Sequence, residues 1–290
     1  MANRKGIMGL RSIPEHKDEQ FLSKRWEDFD HSQKFGLGVW GSAWTIRDRK
    51  TSIRYILQSC HQSSWTLPRF KLLEYARQRE DLFVSPRFLF FRSETVYVCS
   101  DIGGICLAEL IDSTVAIQED QAAAILRQII GTLQLLFTKS IFYDVTASNV
   151  FIVEDGCEDV TVKLSGFGRR LCPEFGTDQA ALCGVIGHLA YHMMTRMPRI
   201  IQEDEVQPFE QMTIVRTESV NIPIGTEHQM SSSFYDFLEA CMGGAQTLEA
   251  LARHMFMRNG HGRVRPLLDH VRRTSVVGQL WSSMEGLGLR

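Results

Sequence analysis

The chain has 290 residues, 44% hydrophobic and 23% charged, enough to bury one large core or two modest ones without disulfide or metal staples. A formal net charge of -2 removes the electrostatic ground for nucleic acid or an anionic membrane as the main partner. Seven cysteines (Cys60, Cys99, Cys106, Cys157, Cys172, Cys183, Cys241) are odd in number and scattered, without paired CxxC spacing, and read as reduced core thiols.

The first stretch, MANRKGIMGLRSIPEHKDEQ, has no apolar run for a signal peptide, and residues 1–28 read as a flexible N-terminal arm. Structure is expected to begin near Phe29. From Phe35 to Gln58 a glycine-rich turn separates two β-like runs, Pro68 to Asp81 has helical spacing, and Val96 to Ser100 is a short strand of β-branched and aromatic residues. After the turn at Gly103-Gly104 the pattern becomes helical. Glu119 to Thr138 places Ala122, Ile125, Ile129, Leu133 and Leu136 on one face. Val150 to Leu164 reads as strand-turn-strand, followed by amphipathic segments at Asp178 to Thr195, Ser232 to Met242 and Thr247 to Met257. The most apolar stretch, Gly184 to Met194, is too short to span a bilayer, so the expected compartment is cytosol or nucleus. Sheet-rich first third and helix-rich remainder together imply an α+β fold rather than an alternating parallel one.

Gly36-x-Gly38-x-x-Gly41, in FGLGVWGSAW, is the first candidate motif. Glycines at this spacing let backbone N–H groups approach a polyphosphate, although in a chain with 22 glycines the same spacing also makes a plain hairpin turn. Downstream, RYILQ carries Gln58, FYDVTASNV carries Asp144 and Asn149 with four residues between them, and KLSGFG carries Gly166. In that order and at those separations the segments resemble the protein kinase superfamily from about residue 30 to 257, and the second half is similar to the PAK-type Ser/Thr kinases. VYVCSDIGGICLAELI resembles the hinge region. DQAALCGVIGHLAYHMMT resembles the helix opening with Asp-x-Trp-Ser-x-Gly, with Ala180, Ala181 and Cys183 in place of three of those residues. PFEQMTIVRT, SSFYDFLEACM and LEALARHMFM are similar to the last helices and the closing His-Pro-Phe.

The resemblance implies a two-lobed kinase-like fold: an N-lobe at 29–102, a C-lobe at 103–257 and a basic C-terminal tail at 258–290. It also implies where the chemistry has gone. Gln58 stands where a lysine grips phosphates, and Gly166 where an aspartate holds magnesium. Asn149 keeps an amide oxygen at a metal-ligand position, and Asp144 stays at the position of the catalytic base, where it also suits hydrogen bonding within a tight loop. Tyr143 replaces the arginine that pairs with a phosphorylated activation loop, and that loop is shortened to about nine residues between Gly168 and Asp178. Cys172-Pro173-Glu174 resembles a remnant of Ala-Pro-Glu. Ala43, Ile56 and Phe151 fall where valine, alanine and leucine usually enclose adenine, so two positions are enlarged and are expected to fill the base's space. Phe142, Phe167 and Asp178 resemble the retained apolar stack, and Glu74 the helix glutamate that would pair with the missing lysine.

Neither ATP nor magnesium is therefore expected to be held. The expected function is that of a catalytically inactive kinase-like module, a pseudokinase that scaffolds or allosterically regulates a protein partner such as an active kinase related by descent. Its alternatives are a divergent Ser/Thr kinase using Asp144 and Asn149, and a switch that senses nucleotide without hydrolysing it. His188 and His192 lie one helical turn apart, but no carboxylate or cysteine completes a metal set, so no metal site is expected. Trp26, Trp40, Trp44, Trp65 and Trp281 are too dispersed for a stacking platform. The tail carries Arg258, Arg263, Arg265, Arg272 and Arg273 and runs into Thr274-Ser275-Val276, a spacing that resembles a basophilic-kinase site at Ser275.

Overall fold

A computed structural model of the chain describes residues 24–38, 41–61, 67–102, 104–141, 143, 145–154, 160–165, 179–196, 230–244 and 246–274. The architecture is mixed α+β, and the chain divides into two compact units, Met1–Ile102 and Gly103–Arg290.

The first unit is built on one antiparallel sheet of β1 (Phe29–Gly38), β2 (Gly41–Asp48), β3 (Arg54–His61), β4 (Pro86–Arg92) and β5 (Thr95–Ser100), in the order β1-β2-β3-β5-β4. Helix α1 (Leu67–Gln78) lies between β3 and β4 in sequence and buries Leu72, Leu73 and Ala76. The sheet curls on itself. Phe29 at the start of β1 lies 5.7 Å from Phe88 and 5.6 Å from Phe90, which belong to the opposite edge strand. That contact encloses Ile46, Tyr55, Leu57 and Cys99 in an aromatic core, with Trp26 and Trp44 packed against it. Aromatic side chains suit such a curl because edge-to-face pairs fill a strongly twisted interior without strain.

Three features differ from the sequence expectation here. The run from Phe35 to Gln58 holds parts of three strands, because a turn closed by Asp48 separates β2 from β3. Strand β4 has no alternating pattern to announce it, since PRFLFFR is apolar on both faces. The fold also begins before Phe29: Trp26–Asp28 form a 3-10 turn, and the Trp26 ring meets Phe90 at 5.6 Å and Tyr97 at 4.7 Å.

The second unit centres on α3 (Glu119–Thr138), whose Ala122, Ile125, Ile129, Leu133 and Leu136 are all buried. A small antiparallel sheet of β6 (Ile105–Cys106), β7 (Val150–Glu154) and β8 (Val160–Leu164) runs in the order β6-β7-β8. The sheet is fastened to α3 by Gln128, whose amide donates to the Val160 carbonyl at 3.1 Å and accepts from the Val162 N–H at 2.9 Å. Before β6 the chain turns at Gly104, where φ is +96° and an added Cβ would lie 2.4 Å from the Ile152 carbonyl oxygen, so glycine is required.

Helix α2 (Leu107–Ile111) follows β6, and α4 (Gln179–Thr195) packs on α5 (Ser232–Met242). At their contact an added Cβ on Gly187 would lie 2.7 Å from the Cys241 Cβ, so glycine allows the close approach. The segment expected as one helix from Thr247 to Met257 is two: α6 (Leu248–Ala252) and α7 (Met255–Arg258). The break is chemical. His254 is extended, at φ -59° and ψ 148°, and its Nδ1 accepts from the Phe256 N–H, so a side-chain cap replaces helix propagation. The segment read as a basic tail contains α8 (Arg265–Thr274), which buries Leu267, Leu268 and Val271 and packs beside α2. Among the described residues no helix is long and apolar enough to cross a membrane.

Candidate functional site

In the first unit, hydrogen-bonded pairing brings six of the singled-out residues together. Gly36 pairs with Ala43, Gly38 with Gly41, Ala43 with Gln58, and Gln58 with Val98 of β5. Gly36, Ala43, Gln58 and Val98 therefore form one row across four strands. Ile56 lies two residues from Gln58 on the same face of β3, between Thr45 and Ser100. Both Ile56 and Gln58 are half-buried. The glycine motif is consequently a β-hairpin end whose neighbouring strand presents an uncharged amide. Glu74 stands exposed on α1, on a different side of the helix from the buried Leu72, Leu73 and Ala76.

The exit of this unit is tied by a charged network that the sequence did not announce. The Arg87 guanidinium donates to Asp101 at 2.8 Å and to Glu80 at 2.9 Å, and the Ser85 hydroxyl donates to Glu80 at 3.1 Å. Its hydrogen bond to Asp101 holds the Arg87 guanidinium above its ordinary pKa, against the effect of burial. Each hydrogen-bonded pair of this network lies 14 or fewer residues apart in sequence, but Arg87 and Asp101 meet only because β4 and β5 pair.

In the second unit, Asn149 ends a 3-10 turn over Ala147–Asn149 and is 2% exposed. Its side-chain oxygen accepts from the Thr146 N–H at 2.8 Å, and its backbone carbonyl accepts from the Ser165 N–H at 2.8 Å. Tyr143 is 1% exposed, and its hydroxyl donates to the Ser165 carbonyl at 2.9 Å. The backbone of Ser165, the residue before Gly166, is thus pinned from both sides by the loop. The Tyr143 hydroxyl thus makes an internal, neutral hydrogen bond. Phe151 is half-buried on β7, opposite Cys106 on one side and Lys163 on the other. The Cys106 thiol donates to the Ala147 carbonyl at 3.3 Å, and burial raises its pKa to about 11, so it is a protonated packing group at neutral pH.

Asp144, Gly166, Phe142, Phe167, Asp178 and the Cys172-Pro173-Glu174 segment lie outside the described residues, as does Ser275. His188 and His192 both lie half-buried on α4, and burial lowers the pKa of His192 against an opposing effect of the Asp112 charge. Among the described residues no three His, Cys, Asp or Glu side chains cluster in a way that could hold a metal ion.

No protein-family model and no curated protein sequence matches this chain. The functional reading therefore rests on the chain's own residues and on the order of its motifs.

Proposed function

We propose that the chain is a catalytically inactive, two-lobed protein kinase-like module that works by binding and regulating a protein partner. The observation that carries the reading is Gln58, a neutral amide in the row with Gly36 and Ala43, where phosphate binding would need an ammonium. It is supported by a smaller sheet-rich unit with one helix between its third and fourth strands, followed in sequence by a larger helical unit. It is supported further by Asn149 directly before a strand pair that leads to Gly166.

Phosphoryl transfer depends on placed charge more than on covalent help from the protein. With glutamine and glycine at two charge-bearing positions, that placement is lost. Asn149 alone offers magnesium a single neutral oxygen, and that oxygen already accepts the Thr146 N–H. Tyr143 replaces a phosphate-dependent contact with a constant one, which suits a module held in one conformation.

The test combines thermal-shift titration with ATP, with and without magnesium, and transfer of labelled γ-phosphate to a generic protein substrate. The expected result is no stabilisation and no label. Transfer that disappears in Asp144→Asn would replace this reading with that of a divergent kinase. Stabilisation by ATP without transfer would replace it with a nucleotide-sensing switch.

A further inference from the structure

We propose that Arg47 and Arg54, opposed across β2 and β3, form a binding site for a phosphorylated serine or threonine side chain of a protein partner. The inference uses only the sheet of the first unit and holds whether or not the chain is kinase-like.

Arg47 pairs directly with Arg54 in the β2–β3 register, and the pairs Thr45 with Ile56 and Ala43 with Gln58 continue the same face. Ile46, Tyr55 and Leu57 take the other face and fill the aromatic core, so both arginines lie on the side of these strands away from that core. Opposed residues of an antiparallel pair have Cβ atoms about 4.5–5.5 Å apart, where two like charges repel. A carboxylate in the same row would relieve the repulsion, and Asp30 of β1 is in register with Arg47 on its other side. That carboxylate is engaged elsewhere. Its Oδ1 accepts from Arg49 Nε at 2.7 Å, while the neighbouring Asp48 is held by Lys24 and the N–H groups of its own turn. Among the described residues neither Arg47 nor Arg54 has a hydrogen bond or an ion pair; Arg47 is exposed and Arg54 half-buried. Three guanidinium groups, those of Arg47, Arg49 and Arg54, therefore share the one carboxylate of Asp30 at this end of the sheet.

The arrangement selects a ligand by charge and shape. Two planar donor forks converge on one volume, and a phosphomonoester brings about -1.5 to -2 charge and three acceptor oxygens to it, so a single group answers both guanidiniums. A single carboxylate has two oxygens and one charge, and leaves one arginine unmatched. Both residues stand on strands whose pairing with each other and with β1 and β5 fixes the backbone, so the site is formed before the ligand arrives. A repulsion that disfavours the free chain thereby becomes an attraction in the complex. Exposure of Arg47 lets a phosphate carried on another chain reach the pair.

The experiment titrates the isotope-labelled full chain with N-acetyl-O-phosphoserine amide, inorganic phosphate and N-acetylglutamate amide at constant ionic strength, following backbone amide shifts by nuclear magnetic resonance. Expected with the phosphoserine probe is saturable movement centred on residues 45–48 and 54–57. The glutamate probe should bind at least roughly threefold more weakly, and Arg47→Gln and Arg54→Gln should each weaken phosphoserine binding by roughly three- to tenfold. The location of the shifts needs no substitution and decides the matter if a variant fails to fold. Absence of saturable shifts in β2 and β3, equal affinity in the variants and the unsubstituted chain, a glutamate probe that binds as well as phosphoserine, or binding of inorganic phosphate without binding of phosphoserine would each overturn the proposal.

Discussion

Asp48 closes the turn between β2 and β3 with a carboxylate that is 1% exposed. One oxygen accepts from the backbone N–H groups of Lys50 and Thr51 at 2.8 and 2.9 Å, and the other faces the Lys24 ammonium at 2.8 Å. Burial alone would raise its pKa, but the lysine and the two N–H groups outweigh that effect and hold it at about 2. Because the folded value lies below the unfolded 3.8, the charged form adds stability that is complete above about pH 4 and is lost as pH falls toward 2. Asp48→Asn is expected to cost about 2 kcal/mol at pH 7 and less than about 1 kcal/mol at pH 2.5, read as urea midpoints at the two pH values. The residue was not singled out in the sequence. An aspartate ahead of Arg-Lys-Thr-Ser looks like any exposed turn residue, and its partner Lys24 lies in a stretch that reads as a loose arm.

Among the elements, α3 was legible end to end and its termination was not. Its apolar period runs from Glu119 to Thr138, and the helix occupies those residues. At its end Ser140 has φ of 53°, its N–H donates to the Phe137 carbonyl, and the Ile141 N–H donates to the Leu136 carbonyl. This is a Schellman ending with serine in the left-handed position that glycine occupies at least strain. Ser140→Gly is therefore expected to stabilise the second unit by about 0.5–1 kcal/mol, measured as a raised midpoint in urea with an unchanged slope. Helix α5 matched its period in the same way, over Ser232–Met242. Helix α8 was hidden by its own arginines, since only Leu267, Leu268 and Val271 mark the buried side of a short segment dominated by charge. Strand β4 was hidden for the opposite reason, because a strand apolar on both faces has no alternation to detect.

At the scale of the whole molecule, the two units differ in how protons act on them. In the second unit burial lowers the pKa of His192 and of His254, with Asp112 and Asp236 respectively acting in the opposite direction. His254 must be neutral for its Nδ1 to cap α7. Since both folded values lie below the ordinary 6.5, the stability they add is present above that pH and is lost as pH falls through the folded values. Trp26, Trp40, Trp44 and Trp65 fall within Met1–Ile102, so tryptophan fluorescence reports mainly the first unit, whereas far-ultraviolet ellipticity reports mainly the helices of the second. Between pH 7.5 and 5.5 the urea midpoint seen by ellipticity is expected to fall, while the midpoint seen by fluorescence holds until Asp48 begins to protonate. Equal shifts in both signals would show that the two histidines do not act as local sensors.

Local order alone determined the period of α3 and α5, the strand-turn-strand piece ending at Leu164, the α+β character, and the neutrality of positions 58 and 166. All of these follow from which side chains repeat along the chain and which of them carry charge. Tertiary structure decided the rest: the curl that sets Phe29 against Phe88, the row from Gly36 to Val98, the Tyr143 hydroxyl on the Ser165 carbonyl, and the hold of Glu154 on Arg272. Each of those is a contact between residues far apart along the chain or on strands whose pairing must form first. A partner chosen by packing leaves no periodic trace in the sequence, because the free energy that selects it arises only once both surfaces have left water.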